Sequence, residues 1–296
     1  MPLFTAGPAT DAAYVNIRDA QSGWLVNVRE HCEALWTTYA EHADRNFLTE
    51  IRSEFNAHYW EMYLTVSLVD MGFRVFCPKP GPDVGIEVGG TRVWFEAICP
   101  KPGDPNNPDR IHAPESGSAY WVPNDRMVLR YLAAIRSKYL EQYTGWLRNG
   151  IVAPDDCFVI AINPRELPFE HGDTDPPRIL QAALPIGSRF VTIDRDTLEV
   201  TGGGHQYRAA LRRASGSEVP TAAFLNPEYP GLSGLLCSRV DAANRPARLG
   251  GDFQVVPNAL SRAPLPDALR LRGTHFTVER TEDSFSVSAE HLEAGA

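Results

Sequence analysis

The sequence lacks the usual marks of a metal-stabilised, secreted or membrane protein. Its five cysteines are scattered, and none forms a CxxC pair or a Cys/His pair at zinc-ligand spacing, which excludes a conventional structural zinc site. No run approaches the roughly 20 consecutive apolar residues of a membrane span. The first residues also lack the basic start and apolar stretch of a signal peptide. The sequence therefore predicts a reduced, cytoplasmic protein that does not associate with membranes.

Basic residues are also in short supply. The 296 residues contain 28 Lys and Arg against 37 Asp and Glu, which gives a net charge of −9. Because the neutralisation of phosphates normally needs a basic face, this balance excludes a protein that binds nucleic acid through bulk positive charge. It leaves room for a localised basic cleft.

What the sequence does contain is a regular order of helices and strands in its first half. Apolar periodicity and turn residues predict a helix, three strands, a helix and a strand, over residues 47–71, 73–77, 84–88, 92–99, 124–149 and 157–162. The second half has shorter strand-like runs, the last of them over 274–287. We therefore expect an α/β protein with a helical lead-in at 1–46, a core at 47–163 and a β-rich extension at 164–296 packed on the core.

Two carboxylates are expected to meet on a hairpin in this core. Gly89-Gly90 separates two strand-like runs and predicts a two-residue turn, because both turn positions need positive φ. The register of such a turn puts Asp83 directly opposite Glu96, with Cβ atoms about 5 Å apart. Two acids so close repel each other unless a cation joins them, and Mg²⁺ binds through one or two carboxylates plus substrate phosphates. Alternatively, Asp83 starts a turn and Glu96 is an edge residue.

The helix before this hairpin offers further acids. Glu54, His58, Glu61 and Thr65 recur at helical spacing and form a polar stripe. Glu61 has apolar and aromatic neighbours in the chain, where a lone acid is costly unless it has a partner. A cation shared with Asp83 would be such a partner. The alternative is a solvated outward-facing stripe, which suits Glu54 better than Glu61.

In this order and register the chain resembles the PD-(D/E)xK nuclease superfamily, whose restriction-endonuclease-like core has the same helix–three strands–helix–strand order. The acid on the first helix of the family matches Glu61, the Pro-Asp on the second strand matches Pro82-Asp83, and the acid on the third strand matches Glu96. The resemblance covers about residues 47–163. It implies a restriction-endonuclease-like core with a C-terminal β-rich extension, and hydrolysis of phosphodiester bonds with Mg²⁺ or Mn²⁺, in DNA rather than RNA.

The family lysine is displaced in this chain. It would lie two residues after Glu96, where the sequence has Ile98. In the family such a lysine can come from the following helix, and there Lys138 and Gln142 lie one turn apart at the border of the apolar arc, where a long side chain can reach a cleft. Lys101, in the loop after the third strand, is the second candidate.

The resemblance also implies a role for each residue. Asp83 and Glu96, helped by Glu61, would hold one or two metal ions, and the carbonyl of Ala97 would complete the metal shell. Lys138 would orient the attacking water or neutralise the transition state. Three residues are possible auxiliaries of this site: Lys101, Gln142 and Glu54.

Two other functions stay open at this point. One is a noncatalytic nuclease-fold protein that binds nucleic acid or a protein partner, which Ile98 and the acidic charge favour. The other is an unrelated hydrolase that uses the carboxylate pair as acid and base. Further along the chain, Arg208, Arg212 and Arg213 predict a short basic helix that either contacts a nucleic-acid backbone or is merely solvated.

Overall fold

The chain forms a large mixed β-sheet with helices on both faces, and the computed structural model describes residues 1–170, 172–280 and 285–293. The helices are α1 Ala12–Arg18, α2 Trp24–Tyr39, α3 Phe47–Glu50, α4 Phe55–Asp70, α5 Asn124–Arg136, α6 Thr144–Arg148 and α7 Arg178–Ala183. The strands are β1 Val75–Phe76, β2 Val84–Val88, β3 Thr91–Ile98, β4 Cys157–Ile162, β5 Ile186–Ile193, β6 Val200–Tyr207, β7 Ala210–Arg212, β8 Glu218–Pro220, β9 Gly234–Cys237, β10 Gln254–Pro257, β11 Gly273–Arg280 and β12 Phe285–Leu292. The α/β class predicted from the sequence is confirmed.

Within the described residues the main sheet has eight strands, in the order β1-β2-β3-β4-β9-β10-β11-β12. β2 lies antiparallel to both β1 and β3, whereas β4 lies parallel to β3 and β9 lies parallel to β4. The C-terminal strands therefore continue the sheet that begins in the first half of the chain. Strands β5 with β6, and β7 with β8, form two separate ribbons.

Alternate residues of the central strands pack into two hydrophobic cores, one on each face of the sheet. Val93 and Phe95 of β3 face the core that contains α2 and α4, while Trp94 between them faces the core built with α5 and α7. A strand buried on both faces reads as a nearly continuous apolar run, and all six residues of β4 are buried. α4 is fixed to this sheet by Trp60, whose Nε1 donates to the carbonyl of Ala161 over 2.9 Å.

The elements follow the predicted order, but the first core helix is shorter than expected. A single helix over 47–71 is wrong, because the chain is interrupted between α3 and α4. The carbonyl of Arg52 accepts hydrogen bonds from the amides of Thr10 and Asp11, and Asp11 Oδ2 accepts the amide hydrogen of Phe55. The N-terminal segment thus takes the backbone groups that a continuous helix would use, and Glu54 becomes the residue before α4.

The second core helix contains a wide turn that the sequence pattern does not predict. Between α5 and α6 the chain is π-helical over Ser137–Tyr143. Two buried tyrosines of this segment are anchored away from the helix: Tyr139 Oη accepts the amide hydrogen of Gly231 over 2.7 Å, and Tyr143 Oη accepts from Arg262 over 3.1 Å. Wide turns of this kind are rare and often occur at functional sites.

Two expectations about the second half of the chain need correction. The segment with Arg208, Arg212 and Arg213 is not a helix, because β7 pairs with β8 as an antiparallel ribbon. The tail is not one strand but two, β11 and β12, and residues 281–284 of the expected strand lie outside the described residues. In both segments each strand is defined by its antiparallel pairing with the next strand, which the residue pattern of one short segment does not specify.

In the described part of the chain, every helix is too short or too polar to cross a lipid bilayer. All five cysteines are free thiols, and four of them are buried: Cys32, Cys99, Cys157 and Cys237.

A buried polar network lies beyond the C-terminal ends of β4 and β9. Glu170, which is 2% exposed, accepts a hydrogen bond from Tyr131 Oη and lies 3.2 Å from Nη1 of Arg178. Burial, and after it the nearby charge of Asp173, outweigh the opposing effects of Arg178 and Arg239 and raise the pKa of Glu170 to about 7. The folded protein therefore favours the protonated form of Glu170 more than the unfolded chain does.

We expect this carboxyl to make the free energy of unfolding depend on pH. Because the folded state binds the proton more tightly, the contribution of Glu170 to stability is fully present below about pH 4.5 and is lost, by up to about 3 kcal/mol, as the pH rises through 7. Urea unfolding of the parent and of Glu170→Gln between pH 5 and 8 tests this. The variant should have a shallower slope than the parent, whereas the control Glu199→Gln, at an exposed position, should keep the parent slope; an equal slope in all three proteins would contradict the assignment.

Candidate functional site

The hairpin of β2 and β3 has the register expected from its turn. Gly89 and Gly90 adopt φ of 57° and 82°, and Val88 pairs with Thr91. The predicted apolar face is buried, and its members are Val84, Ile86, Val88, Val93 and Phe95. This register carries the chain back so that Asp83 and Glu96 are neighbours.

Asp83 and Glu96 are held together by two backbone contacts. Asp83 Oδ2 accepts the amide hydrogen of Ala97 over 2.8 Å, and the amide of Asp83 lies 3.3 Å from Glu96 Oε2. Pro82 has no amide hydrogen, so it cannot donate to the neighbouring strand, and the chain bends at Asp83 instead of extending β2. The bend turns the Asp83 carboxylate toward β3.

The electrostatics of this pair favour a cation. Burial, followed by repulsion from Glu96 and Glu61, raises the pKa of Asp83 well above its ordinary value, although Lys138 and Lys79 oppose the change. Burial also raises the pKa of Glu96. The Asp83 side chain is still 20% exposed, so a small ligand has access to its oxygens. The three carboxylates outnumber the two lysines near them.

Lys138 reaches the pair from the π-helical segment. Its Nζ lies 2.6 Å from Glu96 Oε1, and the two side chains are 17% and 4% exposed. Burial lowers the pKa of Lys138, but attraction to Glu96 and Asp83 is stronger, and the resulting pKa lies above the ordinary lysine value. Lys138 therefore stays protonated. Of the two lysine candidates, this is the one that the structure brings to the carboxylates.

The other candidate, Lys101, pairs elsewhere. Its Nζ lies 3.0 Å from Glu54 Oε1, and both side chains are about half exposed. Glu54 and Lys101 thus form a solvated ion pair at the start of α4 and do not contact Asp83 or Glu96. Gln142, the third auxiliary candidate, lies one turn beyond Lys138; its Oε1 is buried and has no hydrogen-bond partner among the described residues. Buried oxygens without a partner are uncommon, and this one can accept a hydrogen bond from a water molecule or a ligand.

Glu61 lies beside the pair and is joined to it by a lysine that the sequence analysis missed. Glu61 Oε1 accepts a hydrogen bond from Tyr39 Oη over 2.7 Å and lies 3.6 Å from Lys79 Nζ, which is also 3.9 Å from Asp83 Oδ1. Burial raises the pKa of Glu61, but its contacts with His58, Lys79 and Tyr39 together lower the pKa by more. The resulting pKa lies below the usual range. Lys79 precedes Asp83 by four residues in a proline-rich turn, a position that no periodic pattern distinguishes.

The residues present suit a hard divalent cation held by two carboxylates. Asp83 and Glu96 supply adjacent oxygen ligands, and water and substrate phosphates normally fill the rest of a Mg²⁺ shell. Within the described ranges, no group of three or more His, Cys, Asp or Glu side chains is arranged to hold a metal ion. Glu61 contacts Lys79, so its predicted role as a third ligand stays a prediction, as does the role of the Ala97 carbonyl.

Comparison of the chain with protein-family models, with curated proteins and with solved structures finds no match.

Proposed function

We propose that this protein is a nuclease that hydrolyses phosphodiester bonds with Mg²⁺ or Mn²⁺, in DNA rather than RNA, and that residues 47–163 form a restriction-endonuclease-like core. The observation that carries the proposal is the contact of Lys138 with Glu96 beside Asp83, which assembles two acids and a lysine from three elements. The element order α4–β1–β2–β3–α5–β4 supports the proposed core.

Each residue of the site would have a distinct role in such a reaction. Asp83 and Glu96 would hold the metal, which lowers the pKa of a bound water and stabilises charge on phosphoryl oxygens. Lys138 keeps its proton beside them, so its Nζ can hold the attacking water or a phosphoryl oxygen in place. Glu61 positions Lys79 near Asp83, where the ammonium group of Lys79 would bind the substrate phosphate. Gln142 offers a free acceptor one turn from Lys138.

Cleavage assays with matched variants test the proposal. The parent should cleave DNA in the presence of Mg²⁺ or Mn²⁺ and stop when EDTA is added, with RNA a poorer substrate. Glu96→Gln should be inactive, whereas Glu87→Gln, which removes an exposed carboxylate from the same hairpin, should cleave like the parent. Equal cleavage by both variants would point to a contaminating nuclease and contradict the site.

A second candidate is a noncatalytic nuclease-fold protein that binds nucleic acid or a protein partner. The observation in its favour is that Lys138 and Lys79 already contact the acids of the site, as in a structural ion network. This candidate predicts that millimolar Mg²⁺ leaves the melting temperature unchanged. The nuclease proposal predicts stabilisation by the metal.

A further inference from the structure

Four arginines cluster where the loop after β3 lies against α5. Arg110 Nη1 donates to the carbonyl of Gly103 over 2.6 Å, and Arg126 Nη1 donates to the carbonyl of Arg110 over 3.4 Å. Arg130 packs on the same turn, since a Cβ added at Gly103 would stand 2.9 Å from its Nη1. The loop is thus folded so that three guanidinium groups share one surface.

The fourth arginine comes from the ribbon of β7 and β8. Arg213 follows β7, and the next residue, Ala214, donates its amide hydrogen to Asp109 Oδ1 over 2.7 Å, which ties the ribbon to the loop. Burial, with contributions from the nearby charges, lowers the pKa of Arg130; Asp109 opposes this and Arg213 adds to it. Arg130 and Arg213 are therefore close enough to repel each other.

Carboxylates balance the charge of the cluster only in part. Considering the residues that the structure describes, none of the four guanidinium groups is in salt-bridge contact with an acid; Asp109 acts on Arg130 only at longer range. The Nε of Arg130 is buried and has no hydrogen-bond partner in the same part of the chain. Like charges gathered without direct ion-pair partners cost free energy, and an anionic ligand would offset that cost.

The position of the cluster on α5 relates it to the candidate site. Arg130 precedes Lys138 by eight residues on one continuous helical segment, a distance of about 12 Å at 1.5 Å per residue. One DNA strand advances about 3.4 Å per nucleotide, so about three to four nucleotides separate the two positions. A strand whose phosphate lies at Lys138 can therefore continue along α5 to the arginines.

We propose that Arg110, Arg126, Arg130 and Arg213 bind the phosphate backbone of the DNA substrate, three to four nucleotides from the scissile bond. The proposal rests on the proposed nuclease function for its substrate. These arginines would form a local basic surface on an acidic protein. They would bind DNA independently of its base sequence, through residues outside the carboxylate site.

Binding of a short fluorescent DNA duplex, measured by anisotropy in EDTA at several salt concentrations, tests the proposal. Arg126 and Arg213 are exposed, so the double variant Arg126→Gln/Arg213→Gln is expected to fold. Each lost phosphate contact should raise Kd about ten-fold at 0.1 M salt and reduce the slope of log Kd against log salt by about 0.9. The matched control is Arg212→Gln, since Arg212 is adjacent in sequence but paired with Glu218 over 3.1 Å; it should bind within two-fold of the parent.

Two outcomes would overturn the arginine surface: a parent protein that does not bind the duplex, or a double variant with the Kd and salt slope of the control. The cleavage assay separates this failure from that of the proposed function. If the parent binds DNA through these arginines but never cleaves it, the nuclease proposal is contradicted and the arginine surface is supported. If the parent cleaves DNA with metal and the double variant binds as the parent does, the nuclease proposal is supported and the arginine surface is contradicted.

Discussion

Asp83→Asn is expected to abolish metal-dependent cleavage and, in the same protein, to raise the stability of the metal-free state. Loss of a metal ligand removes about 4 kcal/mol of transition-state stabilisation, which corresponds to a fall of about 10³-fold in rate. The gain in stability follows from the raised pKa of Asp83, because the folded protein disfavours its charge beside Glu96 and Glu61. The Asn oxygen can still accept the amide hydrogen of Ala97.

The two readouts are a cleavage assay in Mg²⁺ and urea unfolding in EDTA. The free energy of unfolding in EDTA should increase, because the folded protein disfavours the charge of Asp83. Mg²⁺ should raise the melting temperature of the parent but not of the variant. Glu87→Gln serves as the control, because it removes an exposed carboxylate from β2, four residues after Asp83. A less stable, inactive Asp83→Asn protein would mean that Asp83 supports the fold rather than a metal.

Lys138→Met should be the most destabilising change at the site. It leaves Glu96, which is 4% exposed, next to Asp83 without its closest cation. Breaking a buried ion pair by removing one partner costs about 3–5 kcal/mol, since the remaining charge is uncompensated. Cleavage should also be lost, because Lys138 is the one lysine in hydrogen-bond contact with Glu96 among the described residues.

A double variant distinguishes the effect of the unpaired charge on Glu96 from the loss of packing by the Lys138 side chain. Lys138→Met/Glu96→Gln removes both charges, so urea unfolding should return most of the lost stability while cleavage stays absent. Lys101→Met is the control: its pair with Glu54 is exposed, and its loss should cost less than about 1 kcal/mol. If the double variant is as unstable as Lys138→Met, the lysine contributes through packing and not through its charge.

The parts of the site that follow from local rules could be predicted from the sequence. A two-residue turn dictates the pairing of both strands, so Gly89-Gly90 was enough to bring Asp83 and Glu96 together. Helical spacing likewise selected Lys138, although the wide turn around it was not expected. That turn depends on the contact of Tyr139 with Gly231, which lies 92 residues away, and local periodicity carries no information about it.

The residues that were missed or misplaced depend on tertiary contacts. Lys79 meets Glu61 only after α4 packs beside the turn before β2. Glu54 was expected on the first core helix, but Asp11 and the N-terminal segment end that helix and leave Glu54 beside Lys101. The α/β class and the first-half element order needed only propensity and periodicity. The placement of β9 beside β4 depends on long-range pairing, which a single sequence does not specify.

The spacing of the site residues along the chain sets the order in which the site assembles during folding. Thirteen residues separate Asp83 from Glu96, whereas 42 separate Glu96 from Lys138. Closing a short loop loses less entropy than closing a long one, so the hairpin can form while α5 is still undocked. The two acids then meet before the lysine arrives. We therefore expect the two-glycine turn to make the repulsion between Asp83 and Glu96 an early cost of folding, which the docking of Lys138 offsets only later.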